Sequence, residues 1–385
     1  MRAASSSSIQ TDAYRAGFEV GEGLRDLAPE VVLLFSSIHY EHDFPGLLLG
    51  LQEGVAPAQP LVFGGTGDGI YETQRASNQG VTALALNSDG EVRWTVELER
   101  GAEAEPFGTS KWCGERALKS LGGVADFAFV MATGKTTDGT RLISGLQSAL
   151  PIPIVGGLAG DDRKFARTYI FAKGQAHTDA VGILAGRGPI KLLINAASGW
   201  RPSGDPGFIE AAHDNIVERI GGSTALSFMR ERMGKTPSML DAGMVPLATT
   251  SDETDGHPVL RTASYFDTTT GFITVLGGMP VGARVHVCEA SHADVVGGVD
   301  DVLRNGPPPD FQPIAALVVS CAGRKWILGD RGQEELTRLQ DGLGHHLPLA
   351  GFPSFGEIAP FRRPDGSYTP THFHNTTLAL CLFGA

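Results

Sequence analysis

Between Ala315 and Asn375 the chain gathers a thiol (Cys321), a guanidinium (Arg324), a carboxylate (Glu357), two hydroxyls (Ser320, Ser354) and an amide (Asn375). Such groups support two chemistries. A cysteine near a cation can be a nucleophile in acyl transfer, with His372 or His374 as base and Asn375 as orienter. Alternatively, an arginine fork matches a carboxylate in two parallel hydrogen bonds. Arg324 then anchors a small anionic or zwitterionic ligand, Glu357 and Asn375 orient its other groups, and Cys321 lines the floor beside Ser320 and Ser354. Glu357 can equally buttress Arg324, and Cys321 can equally be a small residue fitting a tight turn. Both chemistries require these groups on one rim. Ala315–Val319 reads as a buried strand stopping at small residues, and Glu334, Leu336, Leu339 and Leu343 fall at helical spacing before Gly344. PLAGF then forms a second strand entering the turn SFGEIAP, so two parallel strand ends meet where open α/β sheets bind ligands.

Other candidates are weaker. Asp161 and Asp162 are adjacent on a loop, which suits capping or turn formation first and a polar ligand contact second. His372 and His374 share a strand face, a geometry for two zinc ligands with no third placed by spacing; His345-His346 adds nothing more specific. The stretch ATGKT, ending at Lys135 and Thr136, has Phe129 where a phosphate-wrapping loop needs glycine. GGTGDGIYE has Glu72 in place of a third fingerprint glycine. SDETDG has Ser251 and Thr262 where a calcium loop needs acids, and GFPSFG has Phe352 where a nucleophile elbow needs glycine.

The strand, small-residue turn, helix and strand pattern occurs twice more, as VVLLFSS with PLVFGGTGDGIYE (Val31–Glu72) and as FAFVMATG with IPIVGGLAGDD (Phe127–Asp162). Each suits a right-handed βαβ crossover. The predicted class is α/β with α+β character, in two domains whose mixed parallel and antiparallel sheets are built on repeated βαβ units.

Composition narrows function. A net charge of −12 opposes nucleic-acid binding, which depends on many phosphate-neutralising cations. No apolar run is long enough to span a bilayer and the N-terminus lacks a secretory core, so a cytoplasmic, membrane-free protein is expected. Cys113, Cys288, Cys321 and Cys381 are widely spaced, which reads as four reduced thiols. Residues up to Ser8 read as a frayed end. GVTALALNSD and EVRWTVELERG read as a hairpin turning at Asp89-Gly90. Arg201–Gly207 reads as a break, because proline and glycine oppose regular structure there. The expected division is residues 1–30 as tail and helix, 31–230 as a first domain and 231–385 as a second.

The motifs VVLLFSS, GGLAGDD (Gly156–Asp162), SGW (Ser198–Trp200), HPVLR (His257–Arg261), CAGRKWILG (Cys321–Gly329), GFPSFGEIAP (Gly351–Pro360) and the closing HNTT together resemble the paired FIST N and FIST C domains. The resemblance implies an intracellular sensory module that binds a small ligand such as an amino acid. It implies a signal passed to a separate partner protein, such as a histidine kinase or cyclase. Some members of that family, the nitric-oxide-sensing group, look like haem proteins, which leaves haem as an alternative with any one histidine as its proximal ligand. A binding module is thus expected rather than an enzyme, with acyl transfer by Cys321 as the other alternative.

Overall fold

The computed structural model describes residues 1–134, 137–304 and 306–385, so Lys135 and Thr136 of the ATGKT stretch lie outside the described residues. The first unit runs β1 (Arg2–Ser8), α1 (Ala13–Leu24), β2 (Val31–Ser37), α2 (Phe44–Gly54), β3 (Leu61–Gly67), the hairpin β4 (Ile70–Glu72) with β5 (Ala76–Ser77), and β6 (Val81–Asn87). The second repeats this order as β7 (Arg93–Arg100), α3 (Pro106–Leu121), β8 (Phe127–Ala132), α4 (Gly139–Ala149), β9 (Val155–Leu158), the hairpin β10 (Ile170–Ala172) with β11 (Gln175–His177), and β12 (Ala180–Arg187). The third begins at β13 (Lys191–Ala197) and is interrupted by an insert. The insert holds β14 (Arg201–His213), β15 (Ile216–Ile220), β16 (Ser223–Thr224), α5 (Ala225–Met233), β17 (Pro246–Thr249), β18 (Val259–Phe266), β19 (Ile273–Val275) and β20 (Arg284–Glu289). The unit resumes with α6 (His292–Arg304), β21 (Pro313–Cys321), α7 (Ala322–Leu328), α8 (Gly332–Leu343), β22 (Leu349–Ser354), the hairpin β23 (Glu357–Ala359) with β24 (His372–His374), and β25 (Leu378–Gly384).

Local chemistry sets these elements. Asp12, Asp43 and Asp138 cap the helices that follow them by accepting backbone N–H bonds. The central parallel strands β2, β8 and β21 are apolar runs because helices cover one face and the common core the other.

Each unit's own strands form four of the six in a sheet, and the outer pair is lent by another unit. The first sheet, β1-β6-β2-β3, receives β10-β11; the second, β7-β12-β8-β9, receives β24-β23; the third, β13-β25-β21-β22, receives β4-β5. The exchange is cyclic. The three sheets enclose one core where Phe35 stacks on Phe352 (centroids 4.8 Å apart) and meets Phe129 edge-on (5.9 Å). α1 and α2, α3 and α4, and α6 and α8 cover the outer faces of the first, second and third sheets. In the insert, β14 pairs with β20 on one side and β15 on the other, so this fourth sheet closes on itself around Ile209, Phe228, Ile273 and Val285.

Three expectations are corrected. The Ser-rich end is β1, paired with β6 from Arg2↔Asn87 to Ser8↔Val81. Asp89-Gly90 turns the chain, but β6 and β7 join different sheets, because β1 and β2 already occupy both edges of β6. Arg201–Gly207 lies in β14; Gly204, Asp205 and Pro206 fall within a register shift, where the ladder asks no N–H of the proline. Strands from both sides of residue 230 share the second sheet, the third sheet and the insert. The α/β class with mixed sheets on repeated βαβ units is the observed one.

Candidate functional site

A cavity of about 590 Å³ lies where the insert meets the strand ends of the second and third units. Cys321 and Ser354, opposite one another at the ends of β21 and β22, supply its polar floor. Trp326 of α7, Phe355 and Phe165 form an aromatic wall, with Phe165 and Phe355 stacked at 5.0 Å. Thr262, Ala263 and Ser264 of β18, with Met239 and Gly243, form the side given by the insert. Among the described lining residues, two carry charge. Asp138 caps α4, and the Arg163 guanidinium sits 4.3 Å over the Trp326 ring.

Behind the floor, Glu357 is fully buried. Its Oε1 accepts from Ser354 Oγ at 2.6 Å, its Oε2 accepts from the Thr377 N–H at 3.0 Å, and the Cys321 thiol lies close enough to influence it. Burial pushes the Glu357 carboxyl up to about 8, against the pull of these donors. Burial also raises the Cys321 thiol well above its usual value, Glu357 adding to the effect, while the N–H groups of Gly323 and Thr376 oppose it. At neutral pH the thiol is therefore protonated. Thr137 is a lining residue only 7% exposed, and its buried hydroxyl has no hydrogen-bond partner among the described residues.

The other candidates lie elsewhere. Arg324 is wholly buried against Glu335 of α8, with Nε at 2.8 Å and Nη2 at 2.7 Å from Oε2. It also donates to the carbonyls of Ser198 and, at 2.8 Å, Val295. Its charge and fork are consumed, which corrects its assignment as a carboxylate anchor and its pairing with Glu357. The helix α7 begins immediately after Cys321 and turns the guanidinium away from the floor. Ser320 Oγ donates to Glu335 at 2.7 Å, as does Tyr71 Oη at 2.8 Å, so Ser320 belongs to this buried network and not to the cavity. Asn375 braces β18, its Oδ1 accepting from the Thr262 N–H at 3.1 Å. Asp161 is a loop clasp, accepting from the N–H groups of Phe165, Ala166 and Arg167, and exposed Asp162 lies 3.8 Å from Lys325.

His374 is buried with Nε2 2.9 Å from the Ala359 carbonyl oxygen, and burial lowers its imidazole to about 3. His372 and His374 pack beside Phe361, whereas Phe373 between them lines the cavity. The described lining residues thus include no histidine, and Cys321 is held as a neutral thiol, so this cavity does not fit an axially ligated haem. Among the described residues, no three His, Cys, Asp or Glu side chains stand together as a metal site.

Several important residues carry no sequence motif. Thr137, Asp138, Arg163 and Phe165 come from loops of the second unit. Trp326 could have been noticed, two positions after Arg324 in the same motif. Buried Asp68, from the first unit, fixes its indole: Oδ2 accepts from Trp326 Nε1 at 2.7 Å.

Two protein-family models match the chain, the FIST N domain over residues 30–223 and the FIST C domain over residues 225–360. No curated protein matches it. Among solved structures, a cyanuric acid hydrolase from A. caulinodans is similar at 9% identity, covering 98% of this chain and 99% of that one, with a TM-score of 0.37. PurLQS from Thermotoga maritima is similar at 10% identity, covering 99% and 72%, with a TM-score of 0.21. Likeness this low says nothing about the chemistry of this cavity.

Proposed function

Since this chain belongs to the FIST family, whose domains are sensory and bind small ligands, we propose that it senses a small carboxylate, an amino acid being the simplest, in the cavity between the insert and the three-sheet body. The carrying observation is the cavity of about 590 Å³ itself, whose described lining sets the Arg163 guanidinium and the Asp138 carboxylate among the rings of Trp326, Phe355 and Phe373. Arg163 faces the ligand's carboxylate, Asp138 its ammonium, and Trp326, Phe355 and Phe373 its carbon skeleton. Insert and body both line the cavity, so a ligand that prefers one packing of the two shifts their equilibrium. That shift is read by a separate partner protein in the cytoplasm, of the histidine kinase or cyclase kind. Four unpaired cysteines, and no membrane-crossing helix among the described residues, support such a setting.

Calorimetric titration with an amino-acid panel tests the reading. Arg163→Ala and Asp138→Asn should each weaken binding by about tenfold, the scale of one charge-assisted hydrogen bond. Asparagine keeps the cap on α4, so the second change reports charge alone. Equal affinities in all three proteins remove both assignments, and a silent panel removes the amino acid.

A further inference from the structure

Cys321, 6% exposed, and Ser354, wholly buried, pair across the cavity floor, and the Glu357 carboxyl lies behind them, accepting from Ser354 Oγ at 2.6 Å. We propose that Cys321 adds reversibly to the carbonyl carbon of a small oxo acid, an aldehyde or ketone bearing a carboxylate, with Glu357 and Ser354 as the proton relay. This rests on the ligand site above and narrows its ligand to a carbonyl-bearing carboxylate.

The atoms balance without another reactant. Sγ forms a bond to the carbonyl carbon as the C=O π bond breaks. The thiol proton passes to Glu357, and a proton leaves Glu357 through Ser354 Oγ for the former carbonyl oxygen. Glu357 ends as it began, and the product is a hemithioacetal or hemithioketal. The surroundings suit such a neutral relay. Burial disfavours a free thiolate here, and a carboxyl raised to about 8 both accepts and gives a proton near neutral pH. The N–H groups of Gly323 and Thr376 stabilise the sulfur as its proton departs. Acyl transfer would also need a leaving group protonated and a water activated, whereas addition needs one proton moved once around one carboxyl. Reversibility suits a sensor, which must release its ligand.

The test uses the whole protein with glyoxylate labelled with carbon-13 at its aldehyde carbon, followed by NMR. The expected result is a protein-bound tetrahedral-carbon signal in the wild type that is absent in Cys321→Ser, a near-isosteric change, with circular dichroism checking that the variant folds. Glu357→Gln and Ser354→Ala should slow the approach to equilibrium by about a hundredfold or more, the lower end of general acid–base contributions, while leaving the final occupancy near that of the wild type. A purely structural role would instead lower occupancy. The adduct is overturned if the signal persists in Cys321→Ser, or if the relay variants equilibrate at the wild-type rate. Calorimetry separates the two layers. Glyoxylate bound equally by wild type and Cys321→Ser overturns the covalent step and keeps the site. Binding of an amino acid but not glyoxylate overturns the oxo-acid ligand alone. Silence toward both overturns the site itself.

Discussion

Glu357 is a carboxyl for which folding favours the proton. Its value rises from 4.5 to about 8 in the folded protein, chiefly through burial. The folded state therefore holds a proton that the unfolded chain releases across that window, and this contribution to stability is full below about 4.5 and is lost as pH rises toward 8. The slope approaches 1.4 kcal/mol per pH unit in mid-window. Urea unfolding at pH 5 and pH 8 should show wild type losing more stability than Glu357→Gln, whose amide does not titrate; identical losses would show that Glu357 does not carry this linkage. Arg324 shows the opposite use of a buried charge. With Glu335, Ser320 and Tyr71 it forms a satisfied network, and removing one partner strands the rest.

Among the elements, the parallel pairs share one device. Gly64, Gly156 and Gly351 stand opposite Leu34, Val130 and Val318 in the three β-ladders. A Cβ on them would lie 1.8, 2.0 and 2.0 Å from the carbonyl oxygens of those residues. Gly156→Ala and Gly351→Ala should each cost about 2 kcal/mol or more in urea unfolding, since a backbone oxygen cannot step aside. Gly297→Ala in α6 should instead stabilise by about 0.5–1 kcal/mol, because its Cβ meets nothing within 4 Å. These same elements were legible in the sequence, since apolar strands entering glycine turns advertise buried βαβ units. The hairpins were not, because β4-β5 finds β22 nearly three hundred residues away and no local pattern names that partner. The floor was readable at Cys321 and Ser354, which lie at strand ends. Arg324 misled because a helix begins between it and the strand end, and Thr137 and Arg163 were hidden because loop residues carry no periodicity.

At the scale of the whole molecule, the family boundary and the physical one differ. The FIST N and FIST C matches meet at residues 223 and 225, inside the insert, between β16 and α5. β13 lies on the near side of that point and its partner β25 on the far side, as do β4 and β22. Residues 1–223 and 225–385 expressed apart should each lack a cooperative thermal transition by circular dichroism, and should regain one when produced together. A cooperative transition in either half alone would show that the exchanged strands are dispensable.

The cyclic loan of hairpins also sets an order of birth. Every strand of the first sheet is present once His177 has left the ribosome, whereas the second waits for His374 and the third for Gly384. Most of translation therefore passes with β4-β5 made but its berth beside β22 unbuilt, and the nascent chain must keep that ribbon from straying until the final strands arrive.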